Sequence, residues 1–264
     1  MAPYDFAAPD ADIILRSSDG KEFRVHKVIL SLASPVFQGM LDLPQPTKTP
    51  PSKIPTVDVP ESSNVLEPFL QYLYPRSPPK VPDLAMWEAL YTIADKYNAM
   101  ITETLRDMLI PRFLEISPVR VYALASHWGF EEEAKTASRG TLVLNVSNGF
   151  PEEDAKLMGI VACQKLYLLH IRRREKARAL INNRPHPTLN RNCACHPTNF
   201  SAVTQALTLH VSTRPWLTAE DLHKEAARNS RTVCGNNNCP SSYKNMDAWF
   251  SSILEEMSKL PQTI

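Results

Sequence analysis

Hydrophobic positions along this chain change their repeat early, from short strand-like runs to stripes spaced three or four apart. Ala11–Leu15 and Glu22–Val25 read as two short strands around Ser17-Ser18-Asp19-Gly20, a polar turn signal that ends in glycine. Thr56–Val59 reads as a third. It follows a Pro- and Thr-rich stretch, Pro44–Pro55, that has no core of its own and reads as an inserted loop. Between the second and third strands, Lys27–Met40 is helical in pattern, with Val28, Leu30, Leu32, Val36, Phe37 and Met40 as its apolar positions. Ser34-Pro35 divides it into two short helices, with Ser34 as N-cap and Pro35 at the first helical position.

Helical spacing then takes over. Ser63–Tyr74 carries the stripe Leu66, Phe69, Leu70 and Leu73 and is stopped by Pro75. Asp83 caps a helix bearing Trp87, Leu90, Ala94 and Tyr97, and Asn98 is suited to a left-handed terminus. Ile101, Leu105, Leu109 and Phe113 form the next stripe, which Pro111 kinks or ends. Past Ser117-Pro118 the pattern is helical throughout. Val119–Trp128 ends at Gly129, and Glu131–Leu144 follows with Glu131, Glu132 and Glu133 in its first turn, where the helix dipole favours negative charge. Pro151 opens a long segment, Glu152–Asn182. Its apolar residues Leu157, Ile160, Val161, Leu168 and Ile171 give way to the basic run Arg172-Arg173-Arg174, Lys176 and Arg178. From Asn183 onward Pro, Asn, Cys and His cluster, and a last amphipathic helix lies near Met246–Leu260.

Composition narrows the classes. The 264 residues are 43% hydrophobic and 22% charged, as in an ordinary soluble protein with a sizeable core. A formal net charge of +1 creates no field toward nucleic acid or anionic membrane. The 23 prolines against 7 glycines fit many short helices joined by stiff loops. No stretch reaches the roughly 18 apolar residues of a membrane span, and the acidic, Pro- and Ala-rich start lacks the features of a secretory signal. A reducing cytoplasmic or nuclear setting is therefore expected, with cysteines as thiols or metal ligands rather than disulfides.

Several residues in order resemble the BTB/POZ family. They are Asp12-Ile13-Ile14-Leu15, Phe23-Arg24-Val25-His26-Lys27, Leu30, Ala33-Ser34-Pro35-Val36-Phe37 and Met40, then Phe69-Leu70-Gln71-Tyr72-Leu73-Tyr74 and Ala94-Asp95-Lys96-Tyr97-Asn98. The resemblance implies an α+β fold: a BTB/POZ-like domain over residues 1–116, with a small sheet capped by helices, followed by an all-α C-terminal region. The strands are too short to stand alone, so they must pack on the helices that follow. Residues 117–183 resemble, less closely, the BACK-like helical extension of BTB adaptors, most nearly those abundant in fungi. Residues 184–264 form a Cys-containing helical region. The structural motif that the resemblance assigns is Asp12, Phe23, His26, Lys27, Leu30, Ser34 and Phe37, with Lys27 at a charged position that can pair with Asp12. Only about ten residues precede the first strand, too few and too Pro-rich for the helix through which many BTB domains swap and dimerise. A monomer or another mode of assembly stays open.

By resemblance the chain is expected to be a non-catalytic adaptor that binds other proteins, a cullin-type ubiquitin ligase scaffold and a client among them. The alternative within the family is a transcriptional regulator using the basic helix or the Cys-rich tail. No nucleophile or second carboxylate stands beside His26 and Lys27, so no catalytic residues are assigned. No phosphate-binding glycine loop or nucleophile elbow appears. Cys193-Ala194-Cys195 and Cys234-Gly235-Asn236-Asn237-Asn238-Cys239 form two close pairs in loop-like sequence. A structural zinc held by Cys193, Cys195, Cys234 and Cys239 is one reading, with His196 or His186 replacing a cysteine. Free thiols and a redox or disulfide role are the others. Cys163 lies in an apolar helix and reads as core. The Arg172–Arg178 run reads as the solvated face of a helix, and nucleic acid is not an expected partner.

Overall fold

The computed structural model describes residues 6–43, 54–75, 77–185, 200–229 and 243–264. The chain divides into two compact units, Met1–Phe113 and Leu114–Ile264.

In the first unit, β1 (Ile13–Arg16) and β2 (Glu22–Val25) form an antiparallel hairpin with Ile13 opposite Val25 and Leu15 opposite Phe23. Gly20 closes the turn at φ 85°, a conformation that suits a residue without Cβ. β3 (Thr56–Asp58) lies parallel to β1 on its other edge, giving the order β2-β1-β3. Strand side chains alternate between faces, so Ile13, Leu15, Phe23 and Val25 point to one side, and all four are buried. The helices α1 (Lys27–Ala33), α2 (Pro35–Asp42), α3 (Ser63–Leu73), α4 (Leu84–Lys96) and α5 (Thr102–Phe113) complete the unit. Their interior includes Leu30, Phe37, Leu66, Phe69, Trp87, Leu90 and Leu105, each fully buried. Phe37 stacks on Tyr97 with ring centres 4.4 Å apart, and Phe69 lies 6.0 Å from the same ring. Trp87 donates its indole N–H to the carbonyl of Leu105 at 2.7 Å, which satisfies the one polar atom that this large side chain buries.

Caps set the helix boundaries. Ser34 accepts from the Phe37 N–H at 3.0 Å, and Asp83 accepts from the Met86 N–H at 2.8 Å. Asn98, at φ 46°, turns the chain out of α4. α3 is capped from a distance. The Asp19 carboxylate, on the β1–β2 turn, accepts from the N–H of Ser63 at 2.8 Å and from its hydroxyl at 2.5 Å. The Ser63 hydroxyl, with Ser17 beside it, holds the Asp19 carboxyl well below the usual carboxylate range. Pro111 does not end α5, which runs on to Phe113. Its missing N–H falls in the last turn, where only one intrahelical bond is lost.

In the second unit, α6 (Pro118–His127) and α7 (Glu131–Gly140) pack on one another and are joined through Gly129 at φ 72°. α7 is shorter than the Glu131–Leu144 pattern predicts and passes into a single 3₁₀ turn, Thr141–Val143. α8 (Glu152–Asn182) packs on α6 with its first part and on α9 (Phe200–Thr213) with its second; α10 (Ala219–Asn229) and α11 (Tyr243–Ser258) complete the unit. Sequence periodicity singled out only the last of these three; α9 and α10 lie in a stretch whose Pro, Asn and Cys content masked them. Ala177, Ile181, Val203, Leu207, Leu222, Trp249, Phe250 and Ile253 form their shared core.

α8 departs from its predicted pattern in two ways. Gly159, at φ 74° and ψ 169°, breaks the helical backbone, and the two residues after it, Ile160 and Val161, are 87% and 67% exposed. Met158, Leu166 and Leu169 supply the buried stripe instead. The second departure is in the basic run, whose Arg173 is only 1% exposed rather than on a solvated face. Its Nε donates to the Pro215 carbonyl at 2.7 Å, Nη2 to Met257 at 3.0 Å, and Nη1 to Leu260 and Pro261 at 3.1 and 2.8 Å. Three of those carbonyls belong to the end of α11 and the residues just past it, the pole of a helix that favours a cation. The guanidinium also lies over the Trp216 ring, 4.8 Å from its centre. Burial, with Arg139 adding to it, pulls the Arg173 pKa down to about 10, still charged at neutral pH.

Candidate protein-interaction site

The motif residues of the first unit meet at the joint between sheet and helices. His26 ends β2 and starts α1; its backbone N–H donates to the Tyr74 hydroxyl at 3.0 Å, and its Nδ1 lies 3.0 Å from the same oxygen. Asp12 does meet Lys27, through the main chain: its carboxylate accepts from the Lys27 backbone N–H at 2.8 Å, satisfying a first-turn donor of α1. Phe23, Leu30 and Phe37 are core. Ser34 has two tasks, capping α2 and donating to the Tyr97 carbonyl at 2.5 Å, which fixes the α1–α2 corner to the end of α4. The Tyr97 hydroxyl in turn donates to Glu61 at 3.0 Å, and burial above all raises its pKa. Ahead of β1, Phe6 is buried edge-on between Phe23 and Tyr74, and its carbonyl accepts from the Arg24 N–H at 2.9 Å. Residues 6 and 7 thus pair with the β2 edge of their own chain.

This framework fixes which face of α1 and α2 turns outward. Leu30, Ala33 and Phe37 go into the core, and that leaves Val28 and Leu32 on the opposite side at 62% and 77% exposed. Sequence periodicity names both, and Val36, among the apolar positions of the helical pattern; the structure places all three on the exposed side. Val28 and Leu32 are one helical turn apart on α1, and Val36 stands in the first turn of the next helix, after the Ser34 corner. Two further exposed apolar residues belong to the neighbourhood. Leu43 follows α2, and Met100 donates its backbone N–H to the Ala33 carbonyl at 3.0 Å. Neither drew attention in the sequence, although a methionine just past the left-handed Asn98 cannot continue α4 into the core. Exposed apolar side chains such as these make α1 and α2 a candidate surface for another polypeptide.

The four cysteines read as zinc ligands, Cys193, Cys195, Cys234 and Cys239, lie outside the described residues, as do His186 and His196. Cys163 is half-buried and a free thiol. Among the described residues, no group of three His, Cys, Asp or Glu side chains converges as metal ligands, and no helix is long and apolar enough to cross a membrane.

Residues 8–109 match the family model of the BTB/POZ domain. No curated protein matches the chain. The match covers β1 through α5 almost entirely, including the hairpin, the Ser34 corner and the outward row on α1 and α2. BTB/POZ domains are generally protein-interaction modules rather than enzymes. This chain therefore carries a BTB/POZ domain over residues 8–109, a protein-interaction module, followed by a C-terminal region in which the elements among the described residues are all helices.

Proposed function

We propose that the chain is a non-catalytic adaptor that recruits a cullin-type ubiquitin ligase scaffold through its BTB/POZ domain and holds a client with its C-terminal helices. The observation that carries this reading is the apolar row Val28, Leu32 and Val36, exposed on a domain of an interaction family. Residues 117–183 would act as the BACK-like spacer between the two tasks, in the cytoplasm or the nucleus. The test is a pull-down with the purified N-terminal domain of a BTB-binding cullin. Retention at micromolar concentration that Leu32→Glu abolishes supports the ligase role. No retention removes that role and leaves a scaffold without a ligase.

Transcriptional regulation through the basic helix gains nothing from the geometry. Arg173 is spent on main-chain carbonyls inside the protein, and Glu175 interrupts the remaining charges. Retention of the chain on DNA that weakens steeply with salt would revive that reading.

A structural zinc at Cys193, Cys195, Cys234 and Cys239 is part of the same proposal. Pro185, the last described residue before the first cysteine pair, accepts at 3.3 Å from the indole N–H of Trp249. Trp249 stands on the second turn of α11, the helix that follows the second pair. The stretch that leads to the first pair therefore meets the helix that follows the second, and this contact supports the zinc reading.

A further inference from the structure

Past the Gly159 break, α8 turns one face to its own unit and another outward. Leu166, Leu169 and Arg173 are buried on the first. Ile160, Gln164, Tyr167 and Ile171 lie on the second, four, three and four residues apart, the steps that keep side chains in one row along a helix. Ile160 and Gln164 are exposed, Tyr167 is 45% exposed and Ile171 is half-buried. Arg174 and Arg178 continue the row at the next two steps. It is therefore apolar at one end and cationic at the other.

Little on the helix offsets that charge. From Ile160 to Asn182 it carries six lysines and arginines against one acid, Glu175. Arg173 is spent inside the protein, and among the described residues Lys165, Arg172, Arg174, Lys176 and Arg178 form no salt bridge. Nε and Nη2 of Arg174 are shielded from water and meet no acceptor. A guanidinium in that state gains from a carboxylate brought to it, because the acceptor restores bonds that water does not supply. We propose that this row is the docking site for an amphipathic helix of the client, with aliphatic residues at heptad spacing and carboxylates over the Arg174–Arg178 end. The spacing selects a helix, since an extended segment repeats every two residues and would fall out of step with the row. The unpaired cations select acidic residues. The inference rests on the reading that the C-terminal helices hold a client, and it places that client on α8.

The experiment uses the full chain at about 150 mM salt, where distant surface charges are screened. The probe is a fluorescein-labelled synthetic helix of about three heptads, held helical by a side-chain lactam, with leucine at a and d and glutamate beside them. A second peptide has the same composition with its leucines dispersed around the helix. Anisotropy shows saturable binding, about tenfold tighter for the heptad peptide than for the dispersed one, the scale set by burying an aliphatic side chain. Ile160→Asp weakens it about tenfold with the circular dichroism spectrum unchanged. Arg174→Glu with Arg178→Glu weakens it by a similar factor and transfers the preference to a peptide with lysine in place of glutamate; Arg178→Glu alone, at an exposed position, shifts it the same way. Equal affinity for the two acidic peptides, uptake that does not saturate, or binding indifferent to Ile160→Asp overturns the proposal. So does a DNA duplex that binds more tightly than the peptide and depends on the arginines but not on Ile160, which gives the face to nucleic acid. A dimer that Ile160→Asp dissolves in sedimentation overturns it in favour of a second copy. Ile160→Asp leaves cullin retention unchanged and Leu32→Glu leaves peptide binding unchanged, so the ligase role and this site fail separately.

Discussion

Replacing Arg173 by Met keeps much of the side chain's volume and removes its guanidinium, and the consequence can be worked out from the contacts. Four hydrogen bonds from a charged donor end on the carbonyls of Pro215, Met257, Leu260 and Pro261. Each such bond is worth about 1.5–3 kcal/mol, so the gross interaction is roughly 6–12 kcal/mol. Against this stands the cost of taking a cation out of water, several kcal/mol in a folded protein. The same desolvation pulls the Arg173 pKa down to about 10. Methionine avoids that cost but leaves the four carbonyls short of donors where water has limited access, so the loss resembles that of breaking a buried polar pair, about 3–5 kcal/mol. For a unit of this size 1 kcal/mol moves the melting temperature by about 2–4 °C, so Arg173→Met lowers it by on the order of 10 °C. Calorimetry resolves the transition of the C-terminal unit, and Arg173→Lys, which keeps charge but not the planar fork, falls between the two. A methionine variant within about 1 kcal/mol of wild type would refute the reasoning, since it would mean that the carbonyls are satisfied without the guanidinium.

Three more outcomes follow from local geometry. Gly159→Ala destabilises the C-terminal unit by about 1–3 kcal/mol, because φ 74° with ψ 169° is a region that residues with a Cβ avoid even though open space surrounds the position; urea unfolding measures it. His170 is fully buried, with its Nε2 2.9 Å from the Thr141 hydroxyl, and burial, aided by Arg174, depresses its pKa to about 4 from 6.5. The depressed value means that the unfolded chain takes up the proton first. The stability that this group confers is complete above pH 6.5 and drains away as pH falls toward 4, a loss of about 3 kcal/mol. His170→Gln flattens that slope in unfolding measured across this range, and an unchanged slope would assign it to other groups. Metal analysis of the purified chain gives about one zinc, and Cys193→Ser or Cys239→Ser lowers the melting temperature of the C-terminal unit; metal-free protein with an unaltered melt would count against the site.

The BTB/POZ domain was legible in the sequence because its local signals agree with its global packing. Ser34, Asp83 and Asn98 sit at helix ends where their chemistry requires them, and the short strands carry their buried residues on one face. Periodicity failed where it names a stripe without saying what covers it. On α1, only seven residues long, Val28 and Leu32 are as regularly spaced as the buried Leu30 and Ala33, and the packing of those two alone decides which side faces water. Arg173 failed differently. An arginine in a basic run reads as solvated, and the carbonyls that receive it are main-chain groups more than forty residues away, with no signature in side-chain identity. Ile160 and Val161 belong to the apolar pattern of the long segment but follow Gly159, whose φ of 74° breaks the helical backbone, and both are exposed.

Sedimentation velocity on the purified chain, alone and mixed with the N-terminal domain of a BTB-binding cullin, tests most directly whether residues 8–109 bind protein through the outward row of α1 and α2. The expected result is a species heavier than either component, formed by two copies or by the mixed complex, that disappears with Leu32→Glu and Val36→Glu while the circular dichroism spectrum is retained. Sedimentation of every mixture as separate monomers, or a complex indifferent to both substitutions, would contradict it.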